Sequence, residues 1–201
     1  MQTQEDKTLI DRFKESGDKE AFESLITKYE NHVYRFGFRM CGQVQDAEDV
    51  VQDTFVSAFR YLKDFRGEAS LLSWLLKIAS SVCLKKRRLR KNEPRTYVPY
   101  DELQVQPSGE VQTRGKDGGS PDALVLSAEV RKIFHEALTR IPPLYREVLA
   151  LREMEGLSGK ETAEALDISE SAVKVRLHRA RAMVYREFEA LYHGKEEHDV
   201  H

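Results

Sequence analysis

The stretch SESAVKVRLHRAR, residues 169–181, spaces hydroxyls, cations and one aliphatic side chain so that a helix would gather them on one side. At about 3.6 residues per turn, Val173, Leu177, Ala180 and Val184 form one stripe. Ser171, Val175, His178 and Arg179 lie opposite it, Lys174, Arg176 and Arg181 flank it, and Ser169 stands at the entrance. Short side chains that reach base edges, beside cations that neutralise phosphates, are the chemistry of a helix laid in a DNA major groove. The plain alternative is an amphipathic surface helix whose arginines are only solvated.

A second stretch, LLSWLLKIASSVCLKKRRLRK at 71–91, runs from apolar to densely cationic. As a helix it would bury Leu71, Leu75, Ile78 and Val82 and turn Ser73, Lys77, Ser80, Leu84, Arg88 and Lys91 the other way. Trp74, Ser81 and Lys85 border the two sides. Serine donors, cations and an aromatic suit a nucleic-acid backbone and an unstacked base. Trp74 keeps two readings, a stacking platform or core packing. A third stretch, residues 46–53, carries Asp46, Glu48, Asp49 and Asp53 and no base. In a helix, Ala47, Val51, Phe55, Ala58 and Leu62 would face a core, leaving Asp49, Gln52, Asp53, Val56 and Arg60 outward. An acid-rich face with an aliphatic suits a protein partner and repels DNA. Its plain alternative is a solvated acidic face that favours a helix N-terminus.

Other chemistries leave no trace. There is no P-loop, no GxSxG and no metal-ligand spacing, so neither catalysis, a cofactor nor a metal is expected. Cys41 and Cys83 stand alone in sequence and read as buried or idle thiols. His193, His198 and His201 read as a solvated tail. Polar residues break every apolar run before the roughly 18 residues a membrane span requires. The acidic start MQTQEDKTLIDRFKESGDKE is unlike a secretory signal, which predicts a cytoplasmic protein. The net charge of −2 over 201 residues hides a local division: residues 85–95 hold seven Lys and Arg against Glu93 alone.

These faces need helices to hold them. Leu25, Tyr29, Val33 and Phe36 predict a helix over 19–41 behind an Asp18 cap, and the acidic stretch predicts one over 46–63. Residues 95–122 gather prolines and glycines with few apolar side chains, the composition of a flexible linker. Beyond it, a helix starts at Pro143 and stops at Gly156, and Ser158 with Glu161 predicts a capping box. A helix to Leu166, a turn Asp167-Ile168-Ser169 and a helix from Glu170 make a helix-turn-helix, with Ala163, Ile168 and Val173 at the crossing. The expected fold is all-α: an N-terminal helical bundle (1–94), the linker (95–122), a helix-turn-helix domain (123–195) and a short tail (196–201).

ALTRIPPLYREVLALREMEGLSGKETAEALDISESAVKVRLHRARAMV resembles the C-terminal promoter-binding domain of bacterial extracytoplasmic-function sigma factors. DAEDVVQDTFVSAFRYLKDFRGEASLLSWLLKIASSVCLKKRRLRK, with the preceding AFESLITKYENHVYRF, resembles their N-terminal domain. Two blocks in this order are more specific than a lone helix-turn-helix. The resemblance implies a bacterial, cytoplasmic protein that binds core RNA polymerase, directs it to promoters and assists melting. Its first domain would be sigma region 2-like and its second region 4-like.

The resemblance also assigns residues. It implies that Asp49, Gln52, Asp53 and Val56 dock on the clamp helices of the largest polymerase subunit, with the second domain near the flap of the second subunit. Trp74, Lys77, Ser80, Ser81, Lys85 and Arg88 would hold the minus-ten element. Ser169, Ser171, Lys174, Val175, Arg176, His178 and Arg179 would hold the minus-thirty-five element. An anti-sigma protein is a further partner that the family often has. Ser81 and Lys85 stand where many members carry Asn and Asp, so this helix is expected to grip DNA more than it reads it. Val175 replaces a common Ser and predicts contact with a thymine methyl. Asp167 occupies a turn position where Gly is common. Two other readings compete: a helix-turn-helix regulator that binds duplex DNA without polymerase, and a helical nuclease or RNA-binding accessory protein that uses the 85–91 cluster.

Overall fold

The computed structural model describes residues 3–89 and 121–196, with side chains over 3–86 and 129–193. Among the described residues the chain is helical throughout and has no strand. Four α-helices form the first unit: α1 Gln4–Ser16, α2 Lys19–Cys41, α3 Val44–Tyr61 and α4 Leu71–Leu89, with a 3-10 turn Leu62–Asp64 after α3.

Local chemistry starts and stops these helices. The Asp18 carboxylate accepts from the Ala21 amide at 3.1 Å and opens α2, as the sequence predicts. At the other end, Gly42 takes a left-handed φ of 77°. Helix α1 was not anticipated: its signals are a Thr3–Asp6 capping box and the buried pair Ile10 and Phe13. Asp6 also accepts from the Tyr29 hydroxyl at 2.8 Å and from Lys28 Nζ at 2.7 Å, which ties α1 to α2. Helices α2 and α3 meet closely at Gly37, where an added Cβ would lie 3.1 Å from the Val50 side chain.

Two details of the core differ from the periodicity. Val50 is fully buried, while Val51 is half-buried at the edge of a groove. On α4, Leu71 and Leu75 are buried together with Leu76, Ala79 and Cys83, and Ile78 and Val82 are half-buried. The reason is that α4 is covered from two directions, by α2 and α3 and by the second unit. Its buried sector is therefore wider than one stripe.

The second unit contains α5 Pro121–Arg140, α6 Pro143–Leu149, a π-helical turn Ala150–Met154, α7 Gly159–Leu166 and α8 Glu170–Glu196. Residues 95–120 of the expected linker lie outside the described residues, and α5 is already under way at its last two positions. Pro143 begins α6, where a missing N–H goes unused. The Ser158–Glu161 capping box closes with amide contacts of 2.9 and 3.1 Å. Asp167 ends α7 in the left-handed region at φ 53°. The stripe Val173, Leu177, Ala180 and Val184 packs on Leu138, Ile141 and Val148, as the spacing requires.

The units touch. Ala150, Leu151, Leu157 and Ala165 of the second unit join the apolar cluster of the first.

Candidate nucleic-acid interface

Helix α8 presents the face read from its spacing. Ser169, Ser171, Lys174, His178 and Arg179 are exposed, Arg176 is half-buried, and Val175 is 50% exposed. The Ser169 hydroxyl accepts from the Ala172 amide at 3.2 Å and lies 2.9 Å from the Ser171 hydroxyl, so part of its capacity caps the helix. Arg181 pairs with Glu153. A helix with its apolar stripe seated and its cations outward can enter a groove without repacking.

On α3, Gln52, Asp53 and Val56 are exposed, and Asp49 is half-buried in an ion pair with Lys86 at 2.6 Å. Beside them runs an apolar groove of about 560 Å³ lined by Phe22, Ile26, Val51, Gln52, Phe55, Val56, Phe59 and Arg60. Phe59 is 45% exposed although it packs edge-to-face with Phe13 and Phe22, with ring centroids 5.3 and 5.2 Å apart. The α2 half of this groove, Phe22 and Ile26, was missed in the sequence, where neither residue was given a role.

The polar side of α4 is divided. Ser81 and Lys85 are exposed, and the Ser81 hydroxyl bonds its own helix at the Lys77 carbonyl, 3.1 Å away. Trp74 is half-buried and tilts against Phe65 with centroids 5.2 Å apart, which is the packing arrangement. The Arg88 side chain and Lys91 lie outside the described residues. Ser73 and Ser80, expected on the outward side, are buried at 1% and 5% exposure. The Ser73 hydroxyl donates to the Glu161 carbonyl at 3.2 Å, Lys77 Nζ donates to the Glu164 carbonyl at 3.2 Å, and Ser80 donates to the Glu147 carboxylate. All three acceptors belong to the second unit.

An ionic cluster lies beside this contact. Glu155, whose side chain is fully buried, receives Arg39 at 2.5 Å, His32 Nδ1 at 2.8 Å and Arg35 at 3.7 Å, all from α2. Burial works to raise the Glu155 carboxyl, but the His32 hydrogen bond and the charges of Arg39 and Arg35 outweigh it, and the group sits below its ordinary pKa. Buried Arg146 donates to the Met40 carbonyl across the units at 2.8 Å and to the carbonyls of Thr139 and Ile141 within its own. His135 stacks on Phe38 with centroids 4.6 Å apart. Its pKa is lowered to about 4, first by burial and then by the charges of Arg146 and Arg39. The sequence signal for the α2 cations was their spacing, since 32, 35 and 39 share one helical face.

Cys41 and Cys83, distant in sequence, come within 3.5 Å of each other at their Sγ atoms. Among the described residues no group of His, Cys, Asp and Glu is placed to hold a metal ion, and no helix is long and apolar enough to cross a membrane.

The chain thus carries an acid-faced helix and a basic helix in one unit, followed by a helix-turn-helix in the next. Two family models match in that order: sigma-70 region 2 over residues 25–93 and sigma-70 region 4 over residues 131–184. The chain is 30% identical over 188 residues to the ECF RNA polymerase sigma-E factor of Haemophilus influenzae, covering 92% of this chain and 96% of that one. It is 31% identical over 194 residues to the RNA polymerase sigma-H factor of Pseudomonas aeruginosa, covering 95% and 98%. Among solved structures it resembles CnrH in complex with the cytosolic domain of CnrY, with a TM-score of 0.66, 25% identity and coverage of 93% and 99%. The sigma factor RpoE of Bartonella quintana, solved with the anti-sigma factor NepR, shares the fold at a TM-score of 0.58, with 22% identity and coverage of 84% and 96%. The chain belongs to the extracytoplasmic-function (ECF) family of RNA polymerase sigma factors.

Proposed function

We propose that this ECF sigma factor divides its work among three helical faces. The acid-edged groove on α3, with Asp49, Gln52, Asp53 and Val56, docks on the clamp helices of the largest polymerase subunit. The α4 side with Lys77, Ser80, Ser81, Lys85 and Arg88 holds the minus-ten element as it melts. The α8 face from Ser169 to Arg179 holds the minus-thirty-five element, and the second unit lies against the flap of the second subunit. Binding and positioning are the whole of the chemistry, without catalysis by this chain, and the protein works in the bacterial cytoplasm.

The observation that carries this reading is the open apolar groove beside acids on α3, in the same chain as an exposed basic recognition helix. A regulator that binds duplex DNA unaided has no use for that groove. Trp74 packs on Phe65, so we leave it out of the minus-ten set. An anti-sigma protein is a further proposed partner, because CnrH was solved bound to CnrY and RpoE bound to NepR.

Run-off transcription tests the division. Purified protein added to core polymerase is expected to give promoter-dependent transcripts from genomic fragments selected by the holoenzyme. Tight duplex binding without core, and no transcript with it, would establish the regulator instead.

A further inference from the structure

The chain has two cysteines, and the fold brings them together. Cys41 ends α2 and Cys83 lies late in α4; their sulfurs are 3.5 Å apart although 42 residues separate them in sequence. That is van der Waals contact, whereas a disulfide holds its sulfurs at about 2.05 Å. Because α2 and α4 pack on each other, the remaining gap is of the size that side-chain rotation covers. The two thiols differ in access. Cys83 is 0% exposed within the apolar core of Leu75, Leu76 and Ala79, while Cys41 is half-buried at the edge of that core. Arg146 donates to the carbonyl of the preceding residue, Met40, at 2.8 Å. It sets a cation at the end of α2, where the helix dipole by itself opposes a thiolate.

We propose that Cys41 and Cys83 form a redox modification site whose oxidant is a hydroperoxide. The Cys41 thiolate attacks the peroxide: an S–O bond forms, the O–O bond breaks, and the departing oxygen takes up the proton of the Cys41 thiol and leaves as water or an alcohol. The Cys83 sulfur then attacks the sulfenic sulfur of Cys41: the S–S bond forms, the S–O bond breaks, and the hydroxide leaves as water with the proton of the Cys83 thiol. The two sulfurs together lose two electrons and the peroxide gains them. A thiol reductant reverses the step by exchange. A small peroxide needs to reach only Cys41 at the rim. Cys83 needs no path from solvent, because the sulfur it attacks already touches it. The covalent loop from 41 to 83 encloses all of α3 and most of α4. Oxidation thus fixes the acid-rich helix and the basic helix relative to each other, and the chemistry is independent of the function assigned to either.

The test treats the full-length protein with hydrogen peroxide, stops the reaction with catalase, and alkylates the remaining thiols under denaturing conditions with N-ethylmaleimide. Intact mass and a non-reducing peptide map are the readouts. The expected product is a monomer lighter by two hydrogens, unalkylated, with the Cys41 and Cys83 peptides joined, and dithiothreitol restores both thiols. Its thermal midpoint is expected about 5–10 °C above that of the reduced form, since the link closes a long loop in the unfolded chain. In Cys83→Ala, Cys41 alone is expected to oxidise, to be trapped as the sulfenic acid by dimedone, and to give no rise in midpoint. In Cys41→Ala, Cys83 is expected to keep its thiol. Circular dichroism checks that both variants fold; should either lose helicity, the wild-type peptide map decides the matter.

A wild type that keeps both thiols through an excess of peroxide overturns the proposal. So does oxygen added to one sulfur without a link, or a link between two chains. A joined pair whose midpoint is no higher than that of the reduced form, or an equal rise in Cys83→Ala, overturns the claim that the fold presents the two sulfurs ready to join. Every readout is taken without polymerase or DNA, so none of these outcomes bears on the sigma-factor reading, which run-off transcription tests separately.

Discussion

At the scale of residues, α3 gives the sharpest separation between partner binding and DNA binding. Asp53 is exposed and Asp49 is tied to Lys86 at 2.6 Å, both on the helix that forms one wall of the groove. Asp49→Lys with Asp53→Lys is expected to weaken holoenzyme assembly at least tenfold, about 1.4 kcal/mol or more. The isolated stability should change by less, because exposed ion pairs contribute about 0–1 kcal/mol. Gel-shift titration with core polymerase, and duplex binding of the same variant, would show whether the two activities separate. The α8 face was legible in the sequence because an amphipathic helix on a surface obeys its own period, and Lys174, Val175, His178 and Arg179 all emerged exposed. Ser73 and Ser80 were not legible as buried. A serine reads as surface by type, yet it is buried without penalty once its hydroxyl finds an acceptor. Here the acceptors are Glu161 and Glu147, 88 and 67 residues away.

At the scale of elements, caps and turns were read correctly because they depend on a few adjacent residues. Asp18, the Ser158–Glu161 box and the Asp167 turn all appear where the sequence put them. Asp167 holds a left-handed backbone at φ 53°, a region that favours glycine. Asp167→Gly is therefore expected to stabilise the protein by about 0.5–1 kcal/mol and Asp167→Ala to destabilise it, with denaturant midpoints as the measurement. The π-helical turn Ala150–Met154 was not foreseen. Its hydrogen bonds, such as the Glu155 amide to the Ala150 carbonyl at 3.0 Å, differ from an ordinary helix by one residue and leave no mark on the apolar spacing. Helix α1 went unread because its start is polar throughout and only Leu9, Ile10 and Phe13 carry its apolar core contacts.

At the scale of the whole molecule, the contact between units holds a buried histidine. His135 faces Phe38, Arg146 and Arg39, and burial holds its pKa near 4 against an ordinary 6.5. In the separated or unfolded chain the imidazole takes up a proton as pH falls through 6.5, while in the packed protein it does not until about 4. Its contribution to stability is therefore full above 6.5 and is lost as pH falls from there towards 4, a change of about 3 kcal/mol. Glu155, with its lowered pKa, adds a loss below its ordinary 4.5. Thermal midpoints taken from pH 8 to about 4.5 should fall below pH 6.5 in the wild type. The slope should flatten in His135→Leu; an equal slope would assign the effect to other groups.

The sequence by itself determined α2, α3, α4, α7 and α8, the caps at Asp18 and Ser158, and the apolar stripe and basic face of α8, because each is set by residues within one or two turns of one another. Only the tertiary structure decided that Cys41 lies beside Cys83, that Glu155 gathers His32, Arg35 and Arg39, and that the second unit covers Ser73 and Ser80. Those pairings join groups tens of residues apart or more. They depend on how two units are set against each other, and local periodicity carries no information about that.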